Sequence, residues 1–327
     1  MSAPAYARRI AAFERVRLLV VGDVILDRYV WGAVERISPE APVPVVRVTR
    51  ESTMLGGAGN VARNLVSLGG QVRFAAVVGE DDTGAEIARL LADWKIDPAG
   101  LAPDPDRPTT VKTRVIARAQ QVVRFDRESD DPIGAESARR LVASARASVA
   151  HVDGVILQDY GKGVLTGEVV RELMALFRER DLPVFVDPKS EHWELYAGAE
   201  LVKPNLREAA EVAGIRVRRP EDVLAVGRAL LERTGARTVA ITQGDAGMTL
   251  FYADGGVEHV PTRPRAVAEA SGAGDTAIAA LALARLAGAE WPEAARIANA
   301  AAGVVVAVPG TSTLSPAELR DALRGAP

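Results

Sequence analysis

The chain contains no cysteine, only three histidines, and aromatic residues at 5% of its 327 positions. Without cysteine there is neither a disulfide framework nor a thiolate metal site, and a reducing compartment is compatible. His151, His192 and His259 stand at unrelated spacings, which argues against a histidine-built metal site and a Ser-His triad. Long apolar runs are missing too. No stretch reaches the ~18 uncharged apolar residues that a membrane span needs. Arg8, Arg9, Glu14 and Arg15 break up residues 1–17, so no signal-peptide core forms there. Charge of one sign is also lacking: 40 Lys and Arg face 43 Asp and Glu, a net charge of −3. That leaves no broad basic field for nucleic acid, so any phosphate binding must be local. The expectation is a soluble, cytoplasmic protein acting on a small molecule.

What remains is an ordinary globular composition, 48% hydrophobic and 25% charged with 29 glycines. The length predicts one large α/β domain, spanning residues 1–327, with a small appendage rather than two equal domains. Short β-branched runs at 18–21, 74–78, 155–157, 184–186 and 239–242 alternate with helical stretches such as 85–94, 168–180 and 223–234. That order predicts a mostly parallel sheet covered by helices. Residues 43–48 and 109–125 instead alternate polar with apolar. Val111, Thr113, Val115 and Ala117 fall on one face, with Lys112, Arg114 and Arg118 on or near the other. Such strands need one wet face, and they predict a small β-sheet lid, from about residues 31–50 and 106–127, that also pairs two subunits.

The strongest local signal is Gly272-Ala273-Gly274-Asp275, followed by a helix apolar almost all round. Glycines at the start of a buried helix leave free N–H groups at its positive end, which is an anion site. Asp275 in the first turn suits a base that takes a proton from an attacking hydroxyl. It suits a helix cap equally well on the motif alone. Burial of the helix favours the base, because an idle charge there is costly.

A second cluster, Gly56-Gly57-Ala58-Gly59-Asn60, also opens a helix, and Asn60 and Asn64 lie one turn apart, so both amides can face one ligand. Both clusters match the dinucleotide pattern G-x-G-x-x-A. The first lacks a clean preceding core strand, since Arg50-Glu51-Ser52 interrupts the approach, and the second puts Asp275 where pyrophosphate would be repelled. A nicotinamide enzyme is therefore disfavoured. Gly161-Lys162-Gly163 lacks the Ser or Thr of a Walker loop, and no H-R-D occurs. Asp23 and Asp27 follow the first strand, where carboxylates suit sugar hydroxyls. Lys162, Lys189 and Lys203 each fall just after a core strand in a chain that otherwise prefers arginine. Ammonium groups at that edge suit phosphates, and Lys162 and Lys189 are the candidates for a phosphate carried by the substrate.

These residues together resemble the ribokinase-like (PfkB) carbohydrate kinases. Gly272 to Asp275 is similar to that family's C-terminal signature, Gly56 to Asn60 to its sugar-binding signature, and Asn205-Leu206-Arg207-Glu208 to its N-x-x-E motif. Within the family the resemblance is greatest to the D-glycero-β-D-manno-heptose 7-phosphate kinases. It is carried by residues 22–29 and 36–45, Asp159-Tyr160-Gly161-Lys162-Gly163 and Gly310-Thr311-Ser312-Thr313. The resemblance implies a three-layer α/β/α fold, ATP and Mg²⁺ as cofactors, and phosphorylation of the anomeric hydroxyl in ADP-heptose and lipopolysaccharide precursor synthesis. It implies Asp275 as base, with residues 272–275 as anion hole. It places Asn205 to Glu208 near the phosphates, with Glu208 holding Mg²⁺ through water, and ATP's base near Thr242, Gly244 and Asn299. Asp27, Gly57 and Asn60 go to the sugar. Two departures stand out: Gln158 replaces the usual Ser, and Glu269 stands where a family Asp helps to hold a monovalent cation, which puts K⁺ in doubt. Adenylyl transfer is not expected of these residues.

Overall fold

The computed structural model describes residues 3–118, 120–189, 192–262, 271–308 and 312–324. The strands, in chain order, are β1 (Arg17–Gly22), β2 (Val24–Ile37), β3 (Pro44–Gly57), β4 (Gln71–Gly79), β5 (Leu101–Asp104), β6 (Val111–Ala117), β7 (Gln120–Arg127), β8 (Gly154–Gln158), β9 (Val184–Asp187), β10 (Leu201–Val202), β11 (Thr238–Thr242), β12 (Met248–Tyr252) and β13 (Val257–Val260). The helices are α1 (Ala3–Ala11), α2 (Ala58–Ser67), α3 (Asp82–Asp93), α4 (Ala135–Ser148), α5 (Gly167–Arg178), α6 (Leu206–Ala213), α7 (Asp222–Thr234), α8 (Ala273–Leu286), α9 (Trp291–Val305) and α10 (Pro316–Arg324).

Nine strands form the main sheet in the order β13-β12-β11-β10-β9-β8-β1-β4-β5. All neighbours are parallel except at the β11-β12-β13 edge. Because strand side chains alternate, Leu18, Val20, Ile156 and Phe185 pack into one layer with α2, α8 and α9. Leu19, Val21, Val155, Leu157 and Val184 pack into the other with α4, α5 and α7. Burial on both faces explains why these strands read as continuous apolar runs. Helix α8 is the inner member of its layer, with every residue from Asp275 to Ala284 buried. Strand order reverses between β1 and β8, and the crevice beyond the carboxyl ends at such a switch point is where open α/β sheets bind ligands.

The second sheet, β3-β2-β6-β7, projects from the carboxyl end of β1. It is wider than the sequence predicts. Strand β2 begins at Val24, with only Asp23 between it and the end of β1, and β3 runs through Arg50, Glu51 and Ser52 to Gly57. The apparent interruption is a solvated stretch of lid strand, where charged side chains cost nothing. In β6 the expected alternation holds at Val111, Thr113 and Ala117, which are buried, while Val115, at the register shift, is half-buried. Strand β7 departs from it: Val122, Val123 and Phe125 are all exposed. Its backbone is turned by Arg118, at φ 49°, and by a register shift at Val115/Ile116.

Candidate active site

Three side chains form a row across the carboxyl edge of the main sheet. Gly22 pairs with Gln158 and Gln158 with Asp187, while Lys203 follows Val202, the partner of Val186. Parallel register puts such residues on one face, here the face beneath the start of α8. Lys203 is buried and its Nζ lies 3.0 Å from Asp187 Oδ2. Gly272, at φ 84°, lets the chain turn into α8. Gly274 lies over the ammonium: among the described residues, a Cβ built there would meet Lys203 Nζ, at 3.6 Å, and Asp187 Oδ2, at 4.0 Å. The first N–H groups of α8 and the Lys203 cation therefore converge on one open space fit for a phosphoryl group.

Asp275 lies at the edge of that space, 3% exposed. It makes no cap; Gly272 occupies the cap position, without a side-chain hydrogen bond. Its Oδ2 accepts from Asn60 Nδ2 at 2.7 Å, and its Oδ1 from Tyr160 OH at 2.9 Å and Gln158 Nε2 at 3.2 Å. Burial raises its pKa to about 7, with the Asp187 charge adding to the rise and the Asn60 and Tyr160 hydrogen bonds and Lys203 opposing it. Such a carboxylate is both ionisable and basic near neutral pH, which a general base requires.

On the sugar side the structure redistributes several sequence expectations. Asp23 is committed to the loop after β8: it accepts the N–H groups of Tyr160, Lys162 and Val164 at 2.7, 3.3 and 3.4 Å. Burial first, and then the charge of Asp159, raises its pKa to about 6 against those hydrogen bonds. Asp27 does not lie on a loop but inside β2, 2.5 Å from Arg114 on β6, and the buried Arg63 of α2 also feels its charge. Gly56 is there because any Cβ would come within 2.2 Å of Asp27 Oδ2, and Gly57 because α2 starts from φ 57°. The two asparagines do not face one ligand together. Asn60 reaches Asp275, whereas Asn64 donates to Asn60 O and accepts from Thr276 Oγ1 at 2.8 Å, joining α2 to α8. The Lys162 ammonium is taken by Glu128 and Asp130, at 2.8 and 2.7 Å, because β7 brings its acidic end over that loop. Lys189 is exposed, its Nζ 6.0 Å from the centre of the Tyr160 ring.

The residues expected to meet the nucleotide come together. Thr242, Gly244 and Asn299 line a cavity of about 200 Å³ whose wall also includes Ala273 and Gly274. Asn299 donates to Val260 O at 2.9 Å, fixing the end of β13. A groove of about 790 Å³ shares Thr242 and Gly244 with that cavity and continues along Asn205, Leu206 and Arg207. Asn205 and Glu208 form a reciprocal capping box for α6, each bond 3.0 Å. Glu208 Oε2 is thus engaged locally, while its charge still reaches Asp187 and raises the pKa of that group, which burial raises most. This oxygen-only donor set, with one partly engaged Glu beside a phosphate space, fits a hard cation brought in on nucleotide phosphates. Glu269 and the Gly310-Thr311 step lie outside the described residues.

A model of the pfkB family carbohydrate kinases matches residues 16–318. The chain belongs to the pfkB family of carbohydrate kinases. It is 48% identical over 321 residues to the bifunctional protein HldE of Rhodospirillum rubrum, covering 98% of this chain and 64% of that protein. It is 46% identical to the HldE of Geobacter sulfurreducens, covering 93% and 62%. The chain thus spans somewhat under two thirds of these relatives. Its fold is ribokinase-like: phosphofructokinase-2 of Escherichia coli, in complex with substrates and products, superposes with a TM-score of 0.78 at 22% identity, covering 94% and 99% of the two chains. Arabidopsis thaliana ribokinase complexed with ribose and ATP gives 0.75, also at 22% identity, covering 95% and 99%. This pfkB-family kinase carries three groups that motif reading left unassigned: Asp187, Tyr160 and the role of Lys203. The signal for Lys203 was present, a lone lysine after a core strand. Tyr160 lay within the Asp159 to Gly163 motif but had no role assigned, and Asp187 gave no signal, because only folding brings them to Asp275.

Proposed function

We propose that this sugar kinase transfers the γ-phosphoryl group of ATP to the anomeric hydroxyl of D-glycero-β-D-manno-heptose 7-phosphate. The reading is supported above all by the buried Asp275, with its raised pKa, which directly follows the Ala273-Gly274 wall of the roughly 200 Å³ cavity and is hydrogen-bonded to Asn60. The hydroxyl oxygen forms the new O–P bond while its proton passes to Asp275. The bond to ADP breaks, and the α8 N–H groups and Lys203 hold the charge of the transferring group. Mg²⁺ bound with the nucleotide would be held through water by Glu208 and would supply charge neutralisation at the phosphates. The heptose assignment rests on residues 22–29, 36–45 and 159–163, which resemble the heptose 7-phosphate kinases, and the strong likeness to HldE proteins accords with it. Of the two lysines, Lys189 remains the candidate for the 7-phosphate, since Lys162 is already paired. A turnover panel of free and phosphorylated sugars with MgATP tests the substrate. ADP release should be fastest with heptose 7-phosphate and yield the 1,7-bisphosphate; preference for another sugar defeats the assignment.

The lid supports a second proposal, that β7 and the tips of β2 and β3 pair with a second copy of the chain. Ile37 and Phe125 are 61% and 58% exposed, with Val43, Val48 and Val123 about half exposed around them. Large apolar groups so placed on a thin sheet point to a covering partner. Sedimentation should show a dimer that Phe125→Asp dissociates, and a wild-type monomer at micromolar concentration would remove the idea.

A further inference from the structure

Gln158 is 1% exposed at the end of β8, in the middle of the row between Gly22 and Asp187. Its single NH₂ group has two hydrogens, and both have a carboxylate to meet: Asp275 Oδ1 at 3.2 Å and Asp187 Oδ2 at 3.3 Å. Its Oε1 is buried and has no hydrogen-bond partner among the described residues. Turning the amide over would satisfy nothing, since it would aim Oε1 at two carboxylates. The orientation is therefore fixed by charge: the NH₂ group must face the two carboxylates. The serine usual at this position is too short to span the two acids.

We propose that Gln158 is a positioning residue for Asp275, its amide tying the base to the Asp187–Lys203 pair so that the Asp275 carboxylate and the phosphoryl-binding ammonium keep one relative geometry. The proposal rests on Asp275 being the base. A carboxylate buried at the start of a helix has few fixed neighbours of its own; here Asn60 holds one oxygen, while Tyr160 and Gln158 hold the other. Tyr160 comes from a half-buried loop, whereas Gln158 is anchored in the central sheet and is the only one of the three that also touches Asp187.

The test is a double-mutant cycle on the full chain, with Gln158→Met, which keeps the length and volume, and Asp275→Asn. Gln158→Met should lower kcat on the order of 10- to 100-fold, the range of coupling between contacting groups, with the KM for ATP unchanged within about twofold because the nucleotide cavity is untouched. In the Asp275→Asn background the same change should lower kcat no further than about twofold, since a residue that acts through the base has nothing left to act on. Gln158→Ser should reproduce the kcat loss and serves where the methionine variant does not fold. An unchanged kcat in the folded Gln158 variants, or an equal loss in both backgrounds, would overturn the proposal. Near-normal turnover of Asp275→Asn would instead overturn the base assignment itself, so the two failures are distinguishable.

Discussion

Two helices in this protein begin with the same local pattern and meet head to head. In α2, Gly57-Ala58-Gly59-Asn60-Val61-Ala62 turns from a left-handed glycine, and in α8, Gly272-Ala273-Gly274-Asp275-Thr276-Ala277 does the same. Asn60 and Asp275 therefore hold the same place, the third residue of each helix, and they hydrogen-bond to one another at 2.7 Å. The middle glycines differ in what surrounds them. A Cβ on Gly59 would lie 2.9 Å from Leu55 Cβ, so that position is packed, whereas on Gly274 the nearest neighbour is the Lys203 ammonium at 3.6 Å. One helix start is a joint between lid and core; the other faces a space bordered, among the described residues, by the Lys203–Asp187 ion pair. A shared G-x-G-x-x-A start acquires different chemistry from its third helical residue, Asn60 or Asp275, and from what the sheet places beneath it.

The largest effect should come from exchanging the paired residues. Asp275→Asn removes the base and should lower kcat on the order of 10²–10⁴-fold, while nucleotide affinity, measured by calorimetry, stays similar or tightens. Because the folded pKa of Asp275 is about 7 against an ordinary 3.8, the folded state binds the extra proton between those values. Its ionisation therefore costs stability as pH rises through that window. The melting temperature of Asp275→Asn relative to wild type should accordingly climb from pH 5 to pH 8. In the wild type, kcat/KM should fall about tenfold per unit below pH 7. Asn60→Asp places a second carboxylate beside the first and should move that acid limb upward. If the limb stays put, the contact between the two helix starts does not tune the base.

A smaller effect separates the two glycines. Gly59→Ala should overpack against Leu55 and cost roughly 1–3 kcal/mol, offset in part by about 1 kcal/mol of helix propensity, with turnover per folded molecule little changed. Gly274→Ala should leave the melting temperature the same or higher, yet lower kcat at least tenfold, because its methyl enters the phosphoryl space. Melting curves and kcat on one set of preparations decide the matter; equal behaviour of the two variants would erase the distinction between joint and anion hole.

Much of this was legible from residues alone. The apolar runs at β1, β4, β8, β9 and β11 marked the buried sheet, and Gly272 to Asp275 marked the helix start whose Ala273 and Gly274 line a cavity with Thr242, Gly244 and Asn299. The lid was legible only in part. Its strands β2 and β3 carry Asp27 and the Arg50-Glu51-Ser52 stretch, and a wet strand tolerates charges that read as a loop. The roles of single polar residues were least legible. Asp23 and Lys162, read as ligand groups, have partners within the chain that the sequence did not show: backbone N–H groups for Asp23, and Glu128 and Asp130 for Lys162.

The sequence by itself determined which segments of the main sheet and its helices would be strand or helix and where the glycines would let the chain turn, because hydrophobic period and left-handed backbone are local properties. Tertiary structure alone decided which charges meet. Asp275 lies 117 positions from Gln158 and 215 from Asn60, and no local rule sets the register of β1, β8 and β9 or the seating of α8 over them. That register places Lys203 and Asp187 beneath the helix start. Burial there raises the pKa of Asp275, and the same burial is what makes its neighbours strong enough to hold it.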